Sequence, residues 1–245
     1  MPSTPTVLLT RPADASRRFA QALHDRLGAA LPVLIAPLLD IVPDPRAAAA
    51  ALAGAGGVIL SSENGAAVCA AAGIGAGLPA FCVGVRTAET ARAAGFLPVD
   101  EPPGDLDGLI AQIVACGWSA DRGPLVHLHG AHVTGDAAAA LVAAGIPARA
   151  AVVYDQQARP LSDAARQLLA GYDPVIVPVF SPRSARLIAP ALVAARAPLR
   201  VAAISPRAAD AVGVHGASRV QTARSPDAAA MIETIAALLS GWESS

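Results

Sequence analysis

Val58-Ile-Leu-Ser-Ser-Glu-Asn-Gly-Ala66 and Val177-Pro-Val-Phe-Ser-Pro-Arg-Ser-Ala185 lie about 119 residues apart and read alike. Each is a short apolar, β-branched run that ends on serine and opens into a segment of helical period, the pattern of a strand turning directly into a helix. Two further pairs keep nearly the same separation. Pro5-Thr-Val-Leu-Leu9 echoes Pro124-Leu-Val-His-Leu128. Phe81–Ala91, containing Gly84-Val-Arg-Thr-Ala88, echoes Val201–Ala211, containing Ser205-Pro-Arg-Ala-Ala209. A recurring spacing of this kind marks a duplicated strand–helix array, so the chain is expected to hold two similar α/β units.

Outward from these pairs the same alternation continues. Strand-like Val7–Thr10, Gly57–Ser61 and Phe81–Val83 are followed by helical Ala13–Leu27, Gly65–Ala72 and Thr87–Ala94. After helical Asp105–Val114 come Leu125–Leu128, a helix near Gly135–Ala144, then Val152–Tyr154, Ala164–Ala170, Val175–Phe180, Ser184–Ala195, Val201–Ile204 and Pro226–Leu239. Strands separated by helices pair in parallel and are covered on their faces. Ala36–Pro43 and Ala150–Pro160, both bounded by proline and rich in extended-type residues, are expected to carry the chain between the two arrays.

Composition removes several classes of function. The net charge is −1 and the basic residues are scattered, which does not make a phosphate-tracking stripe for nucleic acid. All 18 basic residues are arginine, so Schiff-base chemistry, lysine-anchored pyridoxal phosphate and a Walker-type loop have no lysine to use. Mean hydropathy is +0.49, yet every apolar stretch is cut by Gly, Pro, Arg or Asp before the roughly 20 residues a membrane span requires. The Met-Pro-Ser-Thr-Pro-Thr start lacks the charged and apolar regions of a secretion signal, and a cytoplasmic location is the expectation. Cys69, Cys82 and Cys116 fit neither a disulfide framework nor a CxxC motif and read as small buried hydrophobes. Gly54-Ala-Gly-Gly-Val58 precedes a strand rather than following one, so it does not present its amides to a dinucleotide phosphate.

In an open parallel sheet, ligands bind beyond the carboxyl ends of the strands, where helix N-termini offer free N–H groups. Three loops qualify: Ser61-Ser-Glu-Asn-Gly-Ala66, Ser181-Pro-Arg-Ser-Ala185 and Gly84-Val-Arg-Thr-Ala88. Their hydroxyls and amides suit carboxylates, although Ser, Thr, Asn and Gly at such turns more often only cap helices. Tyr154 ends an apolar run with a phenol able to donate a proton; a half-buried strand tyrosine is the commoner case. Arg11 closes the first strand beside a helix-starting proline and is able to meet a carboxylate there. His127, His129 and His132 suggest a metal cluster, but only Asp136 stands by to complete it, and packing or capping is the favoured reading; no metal is expected.

In order and spacing, Val7-Leu-Leu-Thr-Arg-Pro12, Leu60-Ser-Ser-Glu-Asn-Gly65, Val83-Gly-Val-Arg-Thr-Ala88, Val152-Val-Tyr154, Phe180-Ser-Pro-Arg-Ser184, Ala203-Ile-Ser-Pro206 and Ser225-Pro226 resemble the uroporphyrinogen-III synthase family over nearly the whole chain. The resemblance implies an α/β fold of two similar flavodoxin-like parallel-sheet domains joined by a two-stranded β-ribbon, with the active site between them. One domain would comprise 1-37 and 156-245, the other 41-150, with 38-40 and 151-155 as linker. It implies a cyclising hydro-lyase of tetrapyrrole (heme, siroheme or cobalamin) biosynthesis that needs no cofactor. Such an enzyme takes hydroxymethylbilane, eliminates water, inverts the terminal pyrrole, ring D, through a spiro intermediate and closes the macrocycle to uroporphyrinogen III. The substrate bears many carboxylates and ionises readily once its hydroxyl is protonated, so positioning is most of the protein's task.

Carried onto this sequence, the resemblance makes Tyr154 the candidate proton donor and Thr87 a candidate hydroxyl donor. The candidate substrate-binding residues are Thr10, Arg11, Ser61, Ser62, Asn64, Gly65, Arg86, His129, Gly130, Ser181, Arg183, Ser184, Ser205 and Arg207. At Ser205-Pro-Arg-Ala208 the chain departs from the family pattern, where a glycine shortly before a threonine is commoner, and Arg207 is expected to take a carboxylate directly. A monomer is expected, with neither nucleic acid nor membrane as partner and with transient contact to the preceding or following tetrapyrrole enzyme. The alternative is a non-catalytic two-lobed protein of the same fold that binds anions or tetrapyrroles or serves regulation.

Overall fold

Apolar runs of three to six residues, bounded by Pro, Gly and Ser and alternating with alanine-rich stretches, become strands and helices in turn. The computed structural model describes residues 4–100, 105–132, 135–213 and 217–243. In chain order the first elements are β1 (Thr6–Leu9), α1 (Ala13–Leu27), β2 (Val33–Ile35), β3 (Leu39–Pro43), α2 (Pro45–Leu52), β4 (Gly57–Leu60), α3 (Glu63–Ala72), β5 (Ala80–Cys82), α4 (Val85–Ala93), β6 (Val99–Asp100) and α5 (Leu106–Ala115). There follow β7 (Leu125–Gly130), α6 (Ala137–Ala143), β8 (Ala148–Ala158), α7 (Asp163–Ala170), β9 (Val175–Val179), α8 (Pro182–Val193), β10 (Leu199–Ala203), α9 (Pro206–Val212), β11 (Ala217–Thr222) and α10 (Ala228–Glu243).

The chain divides into two compact units, one comprising residues up to Asp40 together with those from Gln157 onward, the other Ile41–Gln156. The first contains a five-stranded sheet in the order β11-β10-β9-β1-β2, parallel throughout. The second contains a sheet ordered β3-β8-β7-β4-β5-β6, parallel from β8 to β6. Numbered by their own succession, the strands of the first unit stand 2-1-3-4-5. The second unit repeats that arrangement with the chain permuted: β7 and β8 stand for the first two strands, and β4, β5 and β6 for the last three. The sequence echoes pair the same positions, β1 with β7, β9 with β4 and β10 with β5, so the duplication seen in the sequence is the duplication of the sheet.

Each sheet buries both faces. In β9, Val175, Val177 and Val179 face one apolar cluster with Leu8, while Ile176 faces the other with Val7 and Leu9. In the second unit Val58, Leu60, Val126 and Leu128 pack on one side, and Ile59 and Leu125 join Leu109, Ile113, Trp118 and Leu141 of the other. Arg200 is the exception within buried β10. Its guanidinium donates to the carbonyls of Leu238 at 2.6 Å and Gly241 at 3.1 Å and lies 4.1 Å from the Trp242 ring centroid, so it closes the carboxyl end of α10.

Several elements were not apparent from periodicity. β2, α2, β6, α9 and β11 are short or poor in contrast, and β6 has only two residues. β8 runs eleven residues, far beyond Val152–Tyr154, because its alanines and polar residues carry no alternation to read. α8 begins at Pro182 rather than Ser184, since proline is well suited to the first turn. Cys69 and Cys82 are buried as expected, but Cys116 is exposed at the end of α5, with its thiol directed to the carbonyl of Ile113. Burial pushes the Cys69 thiol up to about 11 and leaves it without nucleophilic character at neutral pH. Among the described residues no helix is long and apolar enough to cross a membrane.

Candidate active site

In the second unit the strand order reverses direction between β7 and β4, and a ligand is expected beyond the carboxyl ends of strands at such a point. Ser61, Ser62, Val83, Leu106, His129, Gly130, His132, Tyr154 and Gln156 line an open cavity of about 330 Å³ there. Ser61 and Ser62 follow β4, Val83 follows β5, His129 and Gly130 end β7, and Tyr154 and Gln156 lie on β8. Five of the residues singled out from sequence, Ser61, Ser62, His129, Gly130 and Tyr154, are therefore gathered in one place.

Each owes its position to the register. Ile59 pairs with His127 and Leu60 with Leu128, so Ser61, two residues beyond Ile59, faces the same side as the His127 imidazole and stands diagonally ahead of it. Ser61 Oγ and His127 Nε2 are 2.9 Å apart. The shift in the β7–β8 ladder after His129 sets Gly130 opposite Tyr154. A Cβ on Gly130 would stand 2.4 Å from Cε2 and 2.7 Å from Cζ of Tyr154, so the missing side chain is what lets the phenol ring lie on the backbone. Tyr154 is buried apart from its approach to the cavity, and among the described residues no hydrogen-bond partner for its hydroxyl is present.

Helix N-termini supply the other groups. Ser62 is the N-cap of α3 and accepts the Asn64 N–H at 3.3 Å. Gly65, in the first turn, approaches β7 so closely that a Cβ there would meet the Leu128 carbonyl oxygen at 2.9 Å. The start of α3 is thus pressed against the sheet, with the positive end of its dipole beside Ser61 and Ser62. Asn64 and Gly65 hold this helix in place but do not line the cavity.

Arg86 and Thr87, in the first turn of α4, have other engagements. The guanidinium of Arg86 donates to Glu63 at 3.1 Å and to Glu89 at 3.0 Å, and these bonds, Glu89 foremost, raise its pKa above the usual arginine value. Thr87 is buried under α4. A substrate carboxylate would have to draw Arg86 away from two carboxylates already in place, although exposed pairs of this kind are weak.

In the first unit the corresponding residues also stand at carboxyl ends of strands. Thr10 is buried after β1, and Arg11 lies 4.3 Å over the Phe180 ring. Ser181 caps α8 by accepting the Ser184 N–H at 3.1 Å, and the buried Ser184 hydroxyl donates back to the Ser181 carbonyl at 3.0 Å. Ser205 caps α9 through the Ala208 N–H at 3.3 Å, with Arg207 in that first turn; Arg183 holds the like position in α8. Capping thus accounts for Ser62, Ser181 and Ser205, whereas Ser61 is bonded to an imidazole and caps nothing.

Sequence reasoning missed His127, which it set aside with the other histidines. The signal was its place: in Leu125-Val-His-Leu128 it occupies an inward position of a strand that is otherwise apolar. Burial first, and then the neighbouring His129 ring at 4.9 Å, lower its pKa to about 4, with Asp136 opposing. It is neutral in the folded protein. The unfolded imidazole, near 6.5, binds a proton first as the pH falls, so stability present at neutral pH is lost between about 6.5 and 4. We expect urea denaturation at pH 5 to show about 2 kcal/mol less stability from this residue than at pH 7, and the difference to shrink in His127→Gln. Equal pH dependence in both proteins would contradict the assignment. His132 also lines the cavity, with Asp155 Oδ1 3.9 Å from its Nε2. No group of three or more metal-binding side chains occurs among the described residues.

The family model described as "Uroporphyrinogen-III synthase HemD" matches residues 18–233. Among solved structures, uroporphyrinogen-III synthetase from Helicobacter pylori 26695 is similar with a TM-score of 0.60 and 14% identity, over 96% of this chain and 100% of that one. A mutant uroporphyrinogen III synthase from the extremely thermophilic bacterium Thermus thermophilus is similar with a TM-score of 0.50 and 14% identity, over 97% of this chain and 99% of that one. At these identities the structures establish a shared α/β fold with mainly parallel sheets. No curated protein sequence matches this one closely enough to count.

Proposed function

The chain belongs to the uroporphyrinogen-III synthase family, and from that premise we propose that it cyclises hydroxymethylbilane to uroporphyrinogen III, a cyclising hydro-lyase of tetrapyrrole biosynthesis. The observation that carries this reading beyond family membership is the cavity at the ends of β4, β7 and β8. Two serine hydroxyls at the N-terminus of α3, two imidazoles and one buried tyrosine converge there, and among the described residues no arginine lines it. Amides and hydroxyls bind carboxylates without fixing the heterocycle, which leaves a pyrrole free to rearrange. A space of about 330 Å³ is at the small end of ligand sites and suits one substituted pyrrole rather than four. We assign it to the reacting terminal ring.

In this reading the Tyr154 hydroxyl donates to the leaving hydroxyl of the substrate. The carbon–oxygen bond breaks, water departs, and the methylene carbon is left as an electrophile. Ser61 and Ser62, with Asn64 and Gly65 behind them at the start of α3, hold acetate and propionate groups. Thr87 serves by packing α4 rather than by touching substrate. Arg86, Arg11, Thr10, Ser181, Arg183, Ser184, Ser205 and Arg207 are proposed as further carboxylate contacts. The two units are read as flavodoxin-like domains, 1-37 with 156-245 and 41-150, joined by a β-ribbon at 38-40 and 151-155. A cytoplasmic monomer that binds neither metal nor organic cofactor, with transient contact to neighbouring tetrapyrrole enzymes, completes the proposal.

The deciding experiment supplies freshly generated hydroxymethylbilane to the purified protein and separates the type III ring from the type I ring that forms without catalysis. Predominant type III is the expected result; type I alone at the uncatalysed rate would overturn the assignment. Ser62→Asp tests the binding role separately. Aspartate caps a helix as well as serine, so α3 and overall stability should hold while its charge repels the substrate. KM is expected to rise about 10-fold with kcat little changed. An unchanged KM would remove the α3 terminus from the binding site.

A further inference from the structure

His129 is a second acid–base group in the same cavity. Its Nδ1 lies 2.8 Å from the carbonyl oxygen of Gly130. A carbonyl oxygen only accepts, so the hydrogen of this bond is on Nδ1, and the tautomer of the neutral ring is fixed by its own backbone. Nε2 then carries a lone pair and is the one ring nitrogen left for a ligand; no hydrogen-bond partner for it is present among the described residues. The residue lines the cavity together with Tyr154, from the neighbouring strand. The titratable groups around it are His127 beside it on β7, Tyr154 and Asp155 on β8, His132 just after β7, and Asp136 at the N-cap of α6. His127 is buried and neutral, which leaves His129 as the imidazole of the pair that is open to the cavity.

Resting on the synthase reading, we propose that His129 is the base that takes the ring proton when the macrocycle closes, the counterpart of Tyr154 as acid. On the type III route the electrophilic methylene carbon first bonds to the substituted α-carbon of the terminal pyrrole, giving the spiro intermediate. The bond from this α-carbon to its bridging methylene then breaks, and the second electrophilic methylene so formed joins the free α-carbon through the ring's π electrons. The ring regains aromaticity when that carbon loses its hydrogen: the C–H pair returns to the ring and the proton passes to Nε2. The proton given up by Tyr154 has left with water, so transfer from the imidazolium to the tyrosinate restores both residues. The net change is loss of one water, as the reaction requires. A pocket that gathers one acid and one fixed lone-pair acceptor lets one residue act at each end of the sequence.

The test compares type III formation from substrate carrying hydrogen or deuterium at the free α-carbon, beginning with the unaltered enzyme, for which folding is not in question. His129→Asn is the informative variant, since the asparagine Nδ2 takes the place of Nδ1 on the Gly130 carbonyl while no base remains. We expect kcat to fall at least about 10-fold, added imidazole to restore part of the loss, and the deuterated substrate to react about 2-fold or more slowly, with a smaller isotope effect in the unaltered enzyme. His132→Asn should keep the isotope effect of the unaltered enzyme. A His129→Asn protein that keeps the original kcat or the original isotope effect would overturn the role of His129 while type III product still upheld the synthase reading. Type I product alone from the unaltered protein would sink the synthase reading instead, and the role of His129 with it.

Discussion

Replacing Tyr154 with phenylalanine is expected to lower kcat for type III formation about 100-fold, with KM nearly unchanged and the urea midpoint close to that of the unaltered protein. The ring is buried against Gly130 and belongs to the apolar cluster of its unit, so phenylalanine keeps the packing. Only the hydroxyl is lost, and the described residues give it no protein partner, so its removal leaves no buried group unsatisfied. A loss confined to kcat would mean that the phenol acts in the transition state rather than in binding. Turnover within a few-fold of the original would remove Tyr154 from the acid role and turn attention to His132, the remaining proton-bearing side chain of the lining besides His129 and the serines.

The fold was legible because its evidence is periodic and repeated. Strand-to-helix punctuation at Ser61 and Ser181 marked equivalent turns of two units, and their constant spacing implied that the sheets are related. What periodicity did not reveal is that the second unit is permuted, with β7 and β8 standing in for its first strands. That follows from strand pairing between distant residues, such as Leu60 with Leu128, which no local pattern encodes. The weak elements share one cause. β6 is two residues long, and β8 mixes alanine, arginine and glutamine, so neither offers the alternation on which a strand assignment depends.

The candidate site was legible by residue type and illegible by arrangement. Serine after a strand is as consistent with capping as with binding, and Ser62, Ser181 and Ser205 do cap. Ser61 differs only through His127, 66 positions away in sequence. Likewise Arg86 reads as a free cation until Glu63 and Glu89 are seen on either side of it. In the sequence the three histidines read as one set, weighed as metal ligands or as packing residues. Their distinction lies elsewhere: one is buried and neutral, one has its tautomer fixed by a backbone carbonyl, and one stands near Asp155. Such differences depend on burial and hydrogen-bond partners, which spacing along a strand does not carry.

Gly130→Ala is expected to reproduce the kinetic effect of losing the phenol without altering Tyr154 chemically. Its backbone is not in the left-handed region, so alanine is conformationally acceptable there. The obstacle is space: with Cβ 2.4 Å from Cε2, the ring must move by more than an ångström or turn about its side-chain bonds. Overpacking of this kind costs about 1–3 kcal/mol, so the urea midpoint should fall where that of Tyr154→Phe does not. The kcat for type III formation should fall about 100-fold, since displacement of a catalytic group by an ångström is enough for such a loss. The double variant separates the causes. If Gly130 acts on catalysis by placing the hydroxyl, Gly130→Ala in the Tyr154→Phe background should change kcat little further, and the two losses will be strongly non-additive. Losses that multiply would mean that the alanine disturbs something other than Tyr154, the adjacent His129 being the first candidate, and the isotope effects of the single variants with substrate deuterated at the free α-carbon would then distinguish an absent acid from a displaced base.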